Sequence, residues 1–497
     1  MNNYNIIIIG GGISGLNCCY KLSKENKKIL LLERLPRFGG RIISEKVKVN
    51  DKSFLLEHGA ARFHDNHKFL KKLINELNLT NDIIEYPSKL KEGDDIISIL
   101  EEISNKILEY PKTRTNNITY IDFVKKYESN NIHNIIKNFT YYDALYHGNC
   151  IYMAKTILSN YNKDKYFTLK NGLQQITDRL SNKLKNLQNV TVKLNSNVNN
   201  VIKQGNKYIL EINENDTTKE YLADKIIFAV PGKIINNYDI FKKNKKLFDS
   251  VYYKNMNRIY AILNDKDDYF FKNGLINTKE KIKTITCFKN EKCLISYCDG
   301  ECSDYWYNKN KNNELNDLIY KNMKKIYKKS HKPKLIKNYY WYESLAIWKP
   351  KYNFENIIKK MINPIKNIFI CGDTFSDNQC WIEGALSTSN SVIKLCKKSK
   401  QNKTRKNAKQ HGGNKIYSIN EVKKHNKIND GWVIIKNKVY NVTNFINQHP
   451  GGSQILSDRL GKDITNDFNA RGHPDYVEKT ILPKYLIGKI ESKTRKN

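Results

Sequence analysis

Two histidines placed 24 residues apart, His449 and His473, could hold a metal between them. The first opens the turn His449-Pro450-Gly451-Gly452. Such a turn sets one imidazole beside a flat ligand, and Gly451 and Gly452 let backbone approach without side-chain clash. The second imidazole then reaches the other face of the metal. At the opposite end of the chain, Gly10, Gly12 and Gly15 form Gly-x-Gly-x-x-Gly. The first glycine permits a tight turn and the second admits a pyrophosphate. The third lets helix and strand pack closely, with the helix N-terminus facing the anion. Glu33 ends the next strand, where a carboxylate accepts ribose hydroxyls; the competing reading is a solvated strand end.

The elements that must position these residues are legible in outline. Residues 4–34 read as strand, glycine turn, helix and strand. "NHKFLKKLINELNL" is an amphipathic helix, and residues 190–231 form a meander ending in "ADKIIFAVP". Residues 241–350 alternate strands and helices. "IKNIFICGD" is a last buried strand, followed by the helix "EGALSTSNSVIKLC". Residues 397–415 carry eight basic side chains and no acidic one, which predicts a solvated, flexible linker. The His-Gly-Gly inside it lacks any surrounding pattern that would make His411 a ligand.

Gly39-Gly40-Arg41 follows soon after Glu33, and in this the chain resembles the flavin amine oxidase superfamily from Tyr4 to about Leu395. "LEHGAARF" (56–63) resembles the segment where that family's backbone and an arginine approach flavin or substrate. "LKNGLQQITDRL" (169–180) and Ala229-Val230-Pro231 fit the same pattern, and Val198 lies where the family's backbone holds adenine. "ICGDTFSDNQCWIEGALSTS" (370–389) resembles the segment that passes the ribityl chain and closes over the flavin. The resemblance implies that Gly372 permits close approach and that Asp373 binds a ribityl hydroxyl or positions the pyrophosphate. Trp381 and Ile382 begin the last helix, whose positive end would face the flavin. The implied cofactor is FAD. It is expected to be non-covalent: apart from Cys371, which directly precedes Gly372, the roughly 30 residues before Gly372 hold no cysteine, and monoamine oxidases attach flavin to one further upstream. Thr388 stands where the family often has glycine.

The resemblance also implies roles on the substrate side, each against a plainer reading. Trp381 aligns with an aromatic residue that sandwiches a substrate amine; otherwise it is a core tryptophan at a helix start. Arg62 aligns with an arginine that pairs with substrate carboxylate in amino-acid oxidases, or it serves flavin or a salt bridge. "MNRIYAIL" resembles a strand on which oxidases place a lysine that holds water near flavin N5. Here that position is Arg258, which implies altered oxygen reactivity or an ordinary charged strand residue. Trp341 and Trp348 line the pocket or pack in the core.

Trp432 to Ile490 resembles cytochrome b5, with His449 and His473 as the two axial ligands of haem b. Two imidazoles leave no open iron position, which suits electron transfer. Phe445, Leu456, Phe468 and Leu482 are candidates for the pocket wall. Residues 416–490 hold 11 basic and 7 acidic side chains, a net of +4. An acidic or internal electron partner therefore fits better than the basic partners that many cytochromes b5 meet.

The totals exclude several other classes. The 497 residues suffice for two or three cores, and 39% hydrophobic content suits a globular protein. No run approaches the roughly 18 apolar residues of a membrane span, so a soluble protein without membrane anchor is expected. The ten cysteines are scattered and are read as reduced thiols of a cytoplasmic compartment, host cytoplasm or virion if the source is viral. Cys293, Cys298 and Cys302 form a cluster without a fourth metal ligand. The formal charge of +36 comes mostly from lysines spread along the chain, which argues against specific nucleic-acid binding.

The expected architecture is α/β: a Rossmann-like FAD-binding domain with an inserted α+β substrate domain (together 1–396), the linker 397–415, a small α+β cytochrome b5-like domain (416–490) and a polar tail (491–497). FAD-binding parts are placed at about 1–70, 170–240 and 355–396, and substrate parts at about 71–169 and 241–354. The expected activity is oxidation of a small-molecule amine or amino-acid-like substrate by hydride transfer to flavin, with electrons exchanged with the fused haem and an external donor or acceptor; the direction of electron flow is not readable from the sequence. A desaturase- or isomerase-like flavoenzyme acting on a lipid or isoprenoid, and a redox-inactive flavoprotein scaffold, are the alternatives. Substrate and oligomeric state are not readable.

Overall fold

A computed structural model describes residues 2–86, 96–139, 143–160, 165–215, 217–264, 266–273, 275–288, 292–412, 415–474 and 476–491. The chain divides into compact units Met1–Lys394 and Leu395–Asn497.

In the larger unit, the apolar run Asn2–Ile9 lies in a sheet whose order is Val190–Lys193, Ile29–Leu32, Asn2–Ile9, Thr217–Phe228, Lys207–Glu214, Ser196–Gln204. The first four strands pair in parallel, and Ile368–Ile370 adds in parallel to the end of Thr217–Phe228. Ile6, Ile7 and Ile8 are fully buried, as a strand covered on both faces requires. Helix Ile13–Ser23 packs on one face: Asn17 donates to the Ser389 hydroxyl at 2.8 Å, and Cys18 lies 3.9 Å from Cys371. The start and end of the nucleotide-binding fold are thereby stitched together.

The inserted part contains a second, antiparallel sheet in the order Leu275–Asn277, Thr284–Cys287, Lys292–Asp299, Val251–Ile262, Leu335–Trp348. One face packs against helices Gly300–Lys311 and Leu315–Ile326 through Ile259, Ala261, Trp306 and Met323. The other meets the hairpin Ser44–Val49/Lys52–Glu57 through Tyr260, Ile262 and Leu294. The second face carries Arg258 toward the segment that follows Glu57.

Two expectations are corrected. Residues 397–412 of the expected linker are helical, because the helix that starts at Ile382 continues to Gly412; residues 413–414 lie outside the described residues. From Ala385 to His411 the helix contains neither proline nor glycine, and lysine, glutamine, arginine and alanine are good helix formers. Nor are all ten cysteines reduced, because Cys287 and Cys293, directly opposite on neighbouring antiparallel strands, form a disulfide. Cys293 is thus withdrawn from the thiol cluster with Cys298 and Cys302.

In the smaller unit, a sheet in the order Ile416–Tyr417, Leu486–Ile490, Lys438–Asn441, Asp430–Ile435, Asn426–Lys427 backs a set of short helices. Val433, Ile435, Tyr440, Ile446, Leu460 and Phe468 form its core. Of the expected tail, residues 492–497 lie outside the described residues.

Candidate functional site

The glycine loop separates packing from binding. A Cβ on Gly15 would stand 1.9 Å from the Gly10 carbonyl oxygen, and one on Gly10 (φ 104°) 2.6 Å from that of Ala229. Both glycines are demanded by the fold itself. Gly12 differs, since a Cβ there would meet nothing within 4 Å. The same holds for Gly372 (φ 132°), while Gly40 (φ 59°) would touch only Gly12, at 3.4 Å. Gly39 donates to the Gly11 carbonyl at 2.9 Å and so holds the second glycine turn against the first. Side-chain-free space beside the N-terminus of helix Ile13–Ser23 is what a pyrophosphate needs.

Glu33 is no solvated strand end. It is buried, with one carboxylate oxygen accepting from Gly11 N–H at 2.7 Å and the other from Leu35 N–H at 2.9 Å. Each oxygen keeps lone pairs for ribose hydroxyls. Val198 is buried at a bulge of its strand, and its carbonyl accepts from the Tyr238 hydroxyl at 2.7 Å.

Arg41 and Asp373 meet across the fold. Both guanidinium Nη atoms donate to the carboxylate, one at 3.1 Å, and Arg41 also bonds the Ser344 carbonyl. Thr388 proves to be a latch: its hydroxyl oxygen accepts the Gly372 N–H at 2.9 Å and lies 2.9 Å from the Gly372 carbonyl. Ile382 is buried as the first residue of the last helix, with Trp381 immediately before it. Glu383 accepts from Phe69 and Leu70 N–H, each at 2.9 Å, fixing helix Lys68–Glu76 against that helix start.

Around Trp381 the structure gathers aromatic side chains. Trp381 and Phe288 each pack against the cluster of Ala61, Tyr86 and Tyr166. Arg62 lies over the Tyr166 ring at 4.4 Å and near Tyr86 at 5.7 Å. His64 and His67 have ring centroids 3.8 Å apart, and each meets Trp381 edge-on, at 5.7 and 4.9 Å. Burial, aided by His64, pushes His67 down to about 3, so it is neutral at ordinary pH. The sequence reading missed these two histidines; the signal was His-x-x-His directly after Arg62.

Arg258 is no ordinary strand residue. It is 7% exposed, donates to the Glu57 carbonyl at 3.4 Å and the Tyr260 hydroxyl at 3.3 Å, and faces the Tyr297 ring at 4.9 Å. Beneath it, burial pushes Glu57 up to about 7, against hydrogen bonds from Leu173 N–H and Ser44. Burial also lowers Lys292 to about 8, with nearby Glu57 opposing. Trp348 is a core residue, its Nε1 donating to the Ser376 carbonyl at 3.0 Å. Trp341 is half-buried and donates to the His58 carbonyl at 3.0 Å.

In the smaller unit, both key histidines are held by one ring nitrogen. His449 Nδ1 lies 3.2 Å from the Gly452 carbonyl and His473 Nδ1 3.0 Å from that of Phe468. A carbonyl only accepts, so both rings carry the proton on Nδ1 and offer Nε2 as a metal ligand. His473 stacks on Phe468 at 4.3 Å, and Phe445 meets His449 edge-on at 5.7 Å. A Cβ on Gly451 would stand 3.0 Å from His449 Cε1, so that glycine keeps the ring's orientation free. All four expected wall residues, Phe445, Leu456, Phe468 and Leu482, belong to one apolar cluster. The donor set and apolar wall fit a haem.

A Rossmann-type fold with an inserted antiparallel sheet and an appended two-histidine domain defines a flavoprotein oxidoreductase carrying a haem module. Residues 8–77 match an NAD(P)-binding Rossmann-like domain and 84–392 a flavin containing amine oxidoreductase. Residues 418–491 match a cytochrome b5-like heme/steroid binding domain. The chain belongs to the flavin-containing amine oxidoreductase family, is an FAD-dependent oxidoreductase, and carries a cytochrome b5 domain that binds haem. Over 78 residues it is 50% identical to cytochrome b5 isoform E of Arabidopsis thaliana, covering 16% of this chain and 58% of that one. Over 80 residues it is 48% identical to cytochrome b5 of Brassica oleracea var. botrytis, covering 16% and 59%. Putrescine oxidase bound to putrescine superposes with a TM-score of 0.63 at 14% identity, covering 79% of this chain and 98% of that one. That likeness establishes the fold. Among the described residues, no helix is long and apolar enough to cross a membrane.

Proposed function

We propose that the protein oxidises an amine or amino-acid-like substrate by hydride transfer to flavin and exchanges the electrons with its own bis-histidine haem. The observation that carries this reading is the aromatic enclosure of Trp381, Tyr86 and Tyr166, with Arg62 among them, at the start of the helix that would close over the flavin. When bound, FAD supplies a two-electron acceptor and haem a one-electron carrier.

The chain's own residues would hold these groups without covalent attachment. Gly12, Gly40 and Gly372 leave backbone clear for the cofactor, and Glu33 accepts ribose hydroxyls. Arg41 and Asp373 form the polar end of the same path. The N-terminus at Ile382 stabilises negative charge on a reduced ring. Trp381 orients the substrate nitrogen, and Arg62 adds positive charge beside the same rings. Arg258 stands in place of a lysine, which would alter reactivity toward oxygen.

The test is an anaerobic absorbance titration of the purified chain with amines, polyamines and amino acids. Flavin bleaching by a member of this panel supports the reading. FAD and haem present without bleaching by any of them would overturn it.

A further inference from the structure

We infer that the substrate carries a carboxylate and that Arg258 binds it, so that the enzyme selects amino-acid-type substrates and rejects diamines. This rests on the reading of the Trp381 enclosure as the substrate site.

Arg258 is buried, yet its Nε has no hydrogen-bond partner, and among the described residues it forms no ion pair. Its two neutral contacts, the Glu57 carbonyl and the Tyr260 hydroxyl, use Nη1 alone. A guanidinium cannot shed its proton inside a protein, so a buried one without a counter-ion is costly unless an anion visits it. The Glu57 carboxylate feels the charge of Arg258 without forming an ion pair with it; its oxygens accept instead from Leu173 N–H at 2.8 Å and the Ser44 hydroxyl at 2.7 Å. Lys292, donating to the Leu55 carbonyl, adds a second cationic group on the same face. Arg62, over Tyr166 and Tyr86, adds a third around the enclosure.

The apolar side chains supply the rest of a recognition site. Tyr297 and Tyr260 flank Arg258, Tyr86 and Tyr166 flank Arg62, and Trp381 packs against the cluster that holds those two tyrosines. A flat or aliphatic body bearing one carboxylate suits such walls, with the guanidinium fork making two parallel hydrogen bonds to it. A diamine instead brings two positive charges toward these buried cations.

The probe is benzoate, titrated into the FAD- and haem-loaded protein and followed by perturbation of the flavin spectrum and by tryptophan fluorescence. 1,4-Diaminobutane is the comparison. Benzoate is expected to bind and the diamine to bind at least tenfold more weakly. Arg258→Met is expected to weaken benzoate on the order of 10–100-fold. Arg258→Lys keeps the charge but not the fork and should fall between. Parent-like benzoate binding by both variants overturns the inference, as does tighter binding of the diamine. Should Arg258→Met fail to fold, the Lys variant and the benzoate-to-diamine ratio of the parent decide. A chain that purifies without flavin would instead defeat the functional reading itself.

Discussion

The Arg41 guanidinium grips the Asp373 carboxylate through both of its Nη atoms, joining residues 332 positions apart. Arg41 follows the second glycine turn and Asp373 follows the last strand of the nucleotide-binding sheet. Both are candidate cofactor residues, and their pairing ties the two ends of the fold together. Asp373→Asn leaves a guanidinium without its anion. FAD affinity should fall about 10–100-fold, as loss of charge-assisted hydrogen bonds predicts. The 450 nm to 280 nm absorbance ratio after gel filtration reads this directly, while the haem Soret band serves as an unaffected internal standard.

The glycine loop predicts two different failures. Gly12→Ala places a methyl in open space, so the apoprotein should keep its thermal stability and lose FAD affinity. Gly15→Ala drives a methyl to 1.9 Å from the Gly10 carbonyl, so the apoprotein itself should lose about 3 kcal/mol or more. Calorimetry of both apoproteins separates the cases. Equal destabilisation would show that Gly12 also serves packing.

Much of this was legible because the relevant spacings are local. Gly10, Gly12 and Gly15 span one turn, and His449 with its glycines spans another. The Arg41–Asp373 pair was not legible as a pair, since nothing local links residues so far apart. Likewise the disulfide between Cys287 and Cys293 depends on a hairpin register, and composition alone favoured thiols. Residues 397–412 looked like a linker from charge alone, whereas unbroken helix-forming residues carried the last helix onward to Gly412. His64 and His67 were overlooked because their meaning comes from Trp381, over 300 residues away.

Glu57 gives a pH dependence. Burial raises its carboxyl from 4.5 to about 7 in the folded state. Between those values the folded protein holds a proton that the unfolded chain has released. Its contribution is therefore full below about 4.5 and lost as pH rises through about 7. Glu57→Gln removes that loss. Relative to the parent, the variant should gain on the order of 3 kcal/mol in unfolding free energy between pH 4.5 and 8. A pH-independent difference in denaturant unfolding would contradict the assignment.

His449→Ala and His473→Ala should each abolish the low-spin haem spectrum while leaving FAD bound, because the histidines and the glycine loop lie in separate compact units. Gly451→Ala should be milder, shifting the Soret band or loosening haem through the 3.0 Å contact with His449 Cε1. Pyridine haemochrome assays quantify all three. Full haem retention in both histidine variants would refute bis-histidine ligation.

The central claim is that electrons taken from the substrate at the flavin reach the haem of the same chain. The direct measurement is anaerobic rapid mixing of the full-length protein with the best reductant from the amine and amino-acid panel, at protein concentrations varied tenfold. Flavin bleaching followed by reduced-haem bands, at a rate independent of protein concentration, is the predicted result. A flavin that bleaches while the haem stays oxidised, or haem reduction that scales with protein concentration, would contradict it.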